Sequence, residues 1–270
     1  MADKVKVAHI VIAFDSYGEQ RRVINAAMDI AKGEHAKISG IFIHDPLVRQ
    51  ALEQPLTQYV SSPAAPAVAF DRPALEAHFS AIAGRLRLSL EAKARENALS
   101  CTFEIVSDCP FIPPRDADLL ITQAGAPFIG QTRRRLAQLI ETTAQTNQSI
   151  LLIRREIIGK RVVVLVNSLS EASGRAVAWA GELTRHPGQQ LWIQAAGLSL
   201  QAVRQWLFAT APEIATRAEL TQATPGRAKG DLPAGLADGD VLILNLAATA
   251  APLELKALLA NTRADLLLIR

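Results

Sequence analysis

Asp15-Ser16 closes an apolar run, His9 to Phe14, just ahead of a helical pattern, so the pair stands where a strand turns into a helix. An acid and a hydroxyl at such a turn either contact a ligand or cap the helix. A second stretch with chemical potential reads Gln123-Ala124-Gly125-Ala126-Pro127-Phe128-Ile129-Gly130-Gln131-Thr132. Glycines let backbone N–H groups approach an anion, and the helix that follows offers its positive end. Arg133-Arg134-Arg135 opens that helix. Cations at a helix N-terminus cost about a few tenths of a kcal/mol each at an exposed site. Three in a row suit a docked anion (a phosphate, an acidic partner, a nucleic-acid backbone) or else a solvated face. Arg154, Arg155, Lys160 and Arg161 form a second basic group. His44-Asp45 ends another strand pattern and offers an acid–base pair.

The five histidines, His9, His35, His44, His78 and His186, show no His-x₃-His or Glu-x-x-His spacing. No metal site is read from them; the expectation is surface or satisfied core histidines. Cys101 and Cys109 flank a strand pattern. At a rise of about 3.3 Å per residue they stand too far apart to bridge unless the chain folds back after Asp108. No nucleophile elbow, Walker loop, dinucleotide fingerprint or paired-carboxylate motif is present. The sequence gives no reason to expect an enzyme.

Composition narrows the classes. The chain has 270 residues, 49% of them hydrophobic, enough aliphatic matter for two ordinary domains and too much for a largely disordered chain. Its 29 Lys and Arg against 26 Asp and Glu leave a formal charge of +3, which is not a nucleic-acid footprint. A membrane span needs roughly 18 or more consecutive apolar residues. The richest stretch, Val241 to Leu255, is interrupted by Asn245, Thr249 and Pro252. A cytoplasmic protein is the expectation, with no membrane and no nucleic-acid partner.

The elements that would hold these residues repeat. His9 to Ser16 lines up with Arg161 to Ser168, each an apolar run ending in a polar pair. Val23, Ala27, Ile30 and Ala31 give the following helix one apolar stripe, with Gly33 as its C-cap; Ala176, Ala180 and Leu183 repeat the spacing. Ser168 to Glu171 reads as a capping box and Pro187-Gly188 as a stop. Asp116 to Ile121 resembles Asp238 to Ile243, and Ser149 to Arg154 resembles Asp265 to Arg270. Middle strands are expected at Lys37 to Ile43, Thr102 to Ser107, Leu191 to Ala195 and Thr216 to Gln222. The long helix carrying Leu75, Phe79, Ile82, Leu86 and Leu90 has its shorter counterpart at Ser199 to Thr210. Trp179, Trp192 and Trp206 are read as packing residues. Strands alternating with helices predict an α/β fold, a parallel sheet covered on both faces, with its ligand crevice beyond the carboxyl ends of the strands. Two domains follow, residues 1–157 and a shortened 158–270.

This order of elements resembles the universal stress proteins in tandem form. The residues that carry the resemblance are the first strand ending in Asp15, the helix with Val23, Ile24, Ala27, Ile30 and Ala31, the second strand ending at His44-Asp45, and the strands Asp118 to Ile121 and Ile150 to Ile153. The resemblance implies two flavodoxin-like (Rossmann-like) domains, each a mostly five-stranded parallel sheet, related by a pseudo-two-fold axis. They would pair within the chain through Ile150–Ile153 and Leu266–Ile269; a further homodimer is compatible with it. ATP-binding members share two glycines two residues apart and, about nine residues on, a further glycine with Ser or Thr. Here four residues separate Gly125 from Gly130, Pro127 removes a donor, and Asn245 to Pro252 holds no glycine. The loop is degenerate, and no cofactor is expected. The role implied is a non-catalytic regulatory or ligand-sensing protein, with an unknown small molecule or protein as its partner. The candidate binding residues are Asp15, Ser16, Gly125, Gly130 and Arg133. One alternative is an ATP or AMP binder using the first domain. Another is an enzyme using His44 and Asp45.

Overall fold

The computed structural model describes residues 6–14, 20–43, 58–59, 68–69, 72–106, 114, 116–123, 148–153, 161–185, 188–223, 236, 240–245 and 264–269. The first half of the chain gives β1 (His9–Phe14), α1 (Gln20–Glu34), β2 (Lys37–Ile43), a small hairpin of β3 (Gln58–Tyr59) and β4 (Val68–Ala69), α2 (Arg72–Glu96), β5 (Cys101–Val106), β6 (Leu119–Gln123) and β7 (Ser149–Ile153). The second gives β8 (Arg161–Val166), α3 (Glu171–Leu183), β9 (Gln190–Ala195), α4 (Leu200–Thr210), α5 (Pro212–Ala215), β10 (Glu219–Gln222), β11 (Val241–Asn245) and β12 (Asp265–Ile269).

Ten strands form one sheet in the order β10-β9-β8-β11-β12-β7-β6-β1-β2-β5. The strands are parallel within each half, and the halves meet where β12 runs antiparallel to β7, with Leu266 opposite Leu152, Leu267 opposite Leu151 and Leu268 opposite Ile150. Each of these two strands thereby covers an edge that its own half leaves open. β1, β7, β11 and β12 are buried along their whole length, as continuous apolar runs in parallel sheets are. The five described helices line one face, where Val23, Ala27, Phe79, Leu90, Ala176, Ala180, Val203 and Leu207 join a core running through both halves. An ion pair between Arg185 and Glu34, 3.3 Å, ties the end of α3's segment to the end of α1. On the opposite face Val11, Ala13, Ile41 and Leu120 are buried, as are Ile150, Leu152, Leu242 and Leu266.

Local chemistry moves several expected boundaries. Gly33 does not cap α1. The helix runs on to Glu34, His35 takes the left-handed conformation (φ 53°), and the Ala36 N–H donates to Ala31 O at 3.1 Å. Histidine tolerates that region better than most residues, and the six-to-one bond closes the helix as a glycine cap would. The cap of α3 is Ser170, whose Oγ accepts from the Ser173 N–H at 3.3 Å, and not Ser168. That helix also stops before Gly188. Arg217 donates to Gly181 O (2.9 Å) and Thr184 O (3.2 Å), taking up carbonyls that the last turn leaves open. The strand expected from Thr216 begins at Glu219, because Pro212–Ala215 forms a helical turn that the Thr216 N–H closes on Pro212 O.

Candidate functional site

In an open parallel sheet a ligand crevice forms where strand order reverses. The first half runs from β1 outward to β2 and β5, then returns to β6 and β7 on the other side, so its reversal lies between β1 and β6. The described walls there are the ends of those strands. The Thr122 hydroxyl donates to Ala13 O at 3.2 Å, tying β6 to β1, and Gln123 Oε1 is buried without a hydrogen-bond partner. Beside them α1 opens with Gln20-Arg21-Arg22 and no acid in its first turn. Asp15, Ser16, Gly125, Gly130 and Arg133 lie outside the described residues, as do His44, Asp45, Arg134 and Arg135.

In the second half the reversal lies between β8 and β11. Asn167 and Ser168 follow β8, and Asn245 ends β11 level with Val166, 4% exposed. Three hydroxyls gather at the start of α3: Ser168 Oγ lies 3.1 Å from Ser170 Oγ and 3.4 Å from Ser173 Oγ, and the latter two are 3.3 Å apart. The first turn carries Glu171, which is bound to Arg175 at 2.8 Å. No Lys or Arg stands among the described residues at the carboxyl ends of β8 to β12. This end of the second half is neutral and rich in groups that both donate and accept.

The opposite, amino end of the sheet holds the most ordered polar chemistry among the described residues, and none of it was legible as a motif. His9 is buried at the start of β1. Its Nδ1 lies 3.1 Å from Asp116 Oδ2, its Nε2 2.9 Å from Ser39 Oγ on β2, and Ser39 Oγ in turn 2.9 Å from Thr102 Oγ1 on β5. With Asp116 ionised and the ring neutral, Nδ1 donates to Asp116, Nε2 accepts from Ser39, and Ser39 accepts from Thr102. Asp118 Oδ2 accepts from the backbone N–H groups of Ala8 (2.7 Å) and His9 (2.9 Å), which fixes the entry of β1. His9 is thus a satisfied core histidine, as its isolation in the sequence suggested, but its partners come from β2 and from the turn before β6. At the matching place in the second half, Arg161 forms a two-pronged bond to Asp240 and lies 5.1 Å over the Trp192 ring. The hydrogen bond to Asp240 holds the guanidinium yet more firmly protonated. Arg161 is therefore no part of a free basic patch; Arg154, Arg155 and Lys160 lie outside the described residues.

Cys101 opens β5 as a free thiol. Burial, with a smaller contribution from the Glu91 charge, pushes its pKa above the ordinary thiol value. Cys109 lies outside the described residues. No group of three or more His, Cys, Asp or Glu side chains able to hold a metal occurs among the described residues, and no helix among them is long and apolar enough to cross a membrane.

No family model matches this chain, and no curated protein does. Solved structures do. The chain is similar to a universal stress protein from Archaeoglobus fulgidus DSM 4304, with a TM-score of 0.59 and 10% identity, over 98% of this chain and 97% of that one. The fold is that of a universal stress protein. The same fold relates the chain to a functionally unknown protein from Pseudomonas aeruginosa PAO1 (TM-score 0.56, 11% identity, 97% of this chain and 92% of that one). It also relates the chain to the cytoplasmic domain of a prokaryotic cation chloride cotransporter (TM-score 0.53, 10% identity, 97% and 95%). At these identities the universal-stress-protein fold is what the chains share, and the crevice at the strand ends is the place that fold provides for a ligand.

Proposed function

We propose that this chain is a non-catalytic regulatory or ligand-sensing protein of the universal-stress-protein kind, built as two copies of one domain (residues 1–157 and 158–270), and that it does not bind ATP in the ordinary way. One observation carries this reading. The described wall of the second crevice is made of Asn167, Ser168, Ser170, Ser173 and Asn245, with Glu171 in the first helical turn already holding Arg175 in an ion pair. A polyphosphate at that helix start would meet a carboxylate instead of a countercharge. The degenerate spacing of Gly125 and Gly130 supports the same conclusion for the first half. A neutral ligand with its own donors and acceptors, or a partner protein, suits such walls. Similarity of fold to a cytoplasmic domain of a transporter is compatible with a regulatory role.

A second reading has an observation of its own. α1 carries Arg21 and Arg22 in its first described turn, so the first half keeps cations near its crevice. Under that reading the first half holds AMP or ATP through Asp15, Ser16, Gly125, Gly130 and Arg133. A thermal-shift series with ATP and AMP at millimolar concentration, with mass spectrometry of the denatured protein beside it, separates the two. The proposal expects no rise with either nucleotide. A site with a dissociation constant of about 10 μM would instead add roughly 2.7 kcal/mol at about 1 mM ligand. Such a rise, lost in Asp15→Ala, would establish the nucleotide reading.

A further inference from the structure

We propose that Ser39 is a nucleophile activated by His9, able to take an acyl group from small carboxylic esters. This site lies at the amino end of the first half's sheet, away from the crevices; the non-catalytic reading above concerns the crevices alone, and the activity proposed here is independent of it. The geometry supplies the required roles in order. Ser39 Oγ is 2.9 Å from His9 Nε2, and His9 Nδ1 is 3.1 Å from Asp116 Oδ2, so the ring is held with its basic nitrogen facing the hydroxyl. Thr102 Oγ1 lies 2.9 Å from Ser39 Oγ and holds the attacking oxygen in place.

The second half shows that the fold does not demand this chain of bonds. By strand register the positions of His9, Ser39 and Thr102 are taken there by Arg161, Trp192 and Glu219. The Arg161–Trp192 stack fills the row without any relay. Burying a histidine and a serine in the first half is costly unless each is satisfied, and the arrangement that satisfies them is the one that polarises a hydroxyl. Access also fits. His9 and Ser39 are 7% and 9% exposed, while Thr102 and the Asp116 side chain, at the two ends of the chain, are exposed. With so little of His9 and Ser39 uncovered, a small ester is the substrate class that suits the site.

The reaction balances with water as the only co-reactant. Ser39 Oγ attacks the ester carbonyl and its proton passes to His9 Nε2. The carbon–oxygen bond to the leaving group breaks, and that group takes up the proton. Water then attacks the acyl-serine, His9 again relays the proton, and the acid departs with the Ser39 hydroxyl restored.

The test treats the full chain with p-nitrophenyl acetate, follows p-nitrophenolate release, and locates the acetyl group by peptide mass spectrometry. The expected result, in samples quenched by acid before water clears the acyl-serine, is one acetyl group on Ser39. His9→Gln should slow its formation by about 100-fold or more, as loss of a general base does. Thr102→Val, at an exposed position, removes the bond that positions the Ser39 hydroxyl and should slow it by about 10-fold or more. Asp116 positions the ring, so Asp116→Asn should slow acylation at an unchanged melting temperature, and Asp116→Glu should restore part of the rate. Acetyl groups confined to lysines in the unaltered protein would overturn the proposal, as would a His9→Gln chain that still acylates Ser39 at the original rate.

Discussion

Alanine at Gly40 would place its methyl carbon 2.5 Å from Leu90 Cδ2, 2.8 Å from Phe103 Cδ2 and 3.1 Å from Phe14 Cε2. Leu90 and Phe14 are fully buried, Phe14 and Phe103 already pack with ring centroids 6.1 Å apart, and none of the three can retreat without moving its neighbours. Overpacking of this kind costs about 1–3 kcal/mol. The reduced freedom of the unfolded chain returns about 0.4–1 kcal/mol, which leaves a net loss of roughly 1–2 kcal/mol. For a chain of this size that lowers the melting temperature by about 2–8 °C. The origin of the loss is testable with a cycle. Leu90→Ala alone opens a cavity at a cost of about 2–5 kcal/mol. With both changes the new methyl occupies part of that cavity, so the double variant should lose at least about 1 kcal/mol less than the two single losses together. Urea denaturation followed by circular dichroism reads all three variants. A Gly40→Ala protein as stable as the parent, or losses that simply add, would refute the close approach of α2 to β2 on which the first half's packing rests.

Further expectations follow from the amino-end polar groups and from Cys101. Asp240→Asn removes the charge that Arg161 grips with two nitrogens, and with the Asp240 side chain 7% and that of Arg161 21% exposed it should cost about 1–3 kcal/mol in denaturant melts; no loss would show that the pair is idle. The thiolate of Cys101 is the reactive form, and burial together with Glu91 raises its pKa. In a Cys109→Ser chain, its alkylation by iodoacetamide should therefore be slow near neutral pH and accelerate only above the range of an ordinary thiol. Glu91→Gln should move that profile toward lower pH. A profile centred on the ordinary thiol range would contradict the environment described.

The strands were legible because each is a run of aliphatic residues bounded by polar turns, and a parallel sheet buried on both faces needs such runs. His9–Phe14 and Lys37–Ile43 are read from sequence to the residue. Helix ends were less legible. Gly33 is the obvious cap by residue type, yet His35 takes the left-handed place, and α3 is closed by Arg217, which is 33 residues from Thr184. Side chains that reach back across such a separation leave no local mark. The His9–Ser39–Thr102–Asp116 chain was invisible for the same reason: its four members are scattered over more than a hundred residues and meet only through the register of β1, β2 and β5. The candidate crevice residues are named by their position after apolar runs, and Asp15, Ser16, Gly125, Gly130 and Arg133 all lie outside the described residues. Thr122 and Gln123 extend β6 beyond the run that ends at Ile121, and Asn245 closes β11.

Isothermal titration of the full chain with magnesium–ATP at millimolar concentration tests the central claim most directly. The account predicts no saturable heat, with the Asp15→Ala variant indistinguishable from the parent. A single saturating site tighter than about 100 μM, near −5.5 kcal/mol, that disappears in Asp15→Ala would contradict it and make the first crevice a nucleotide site.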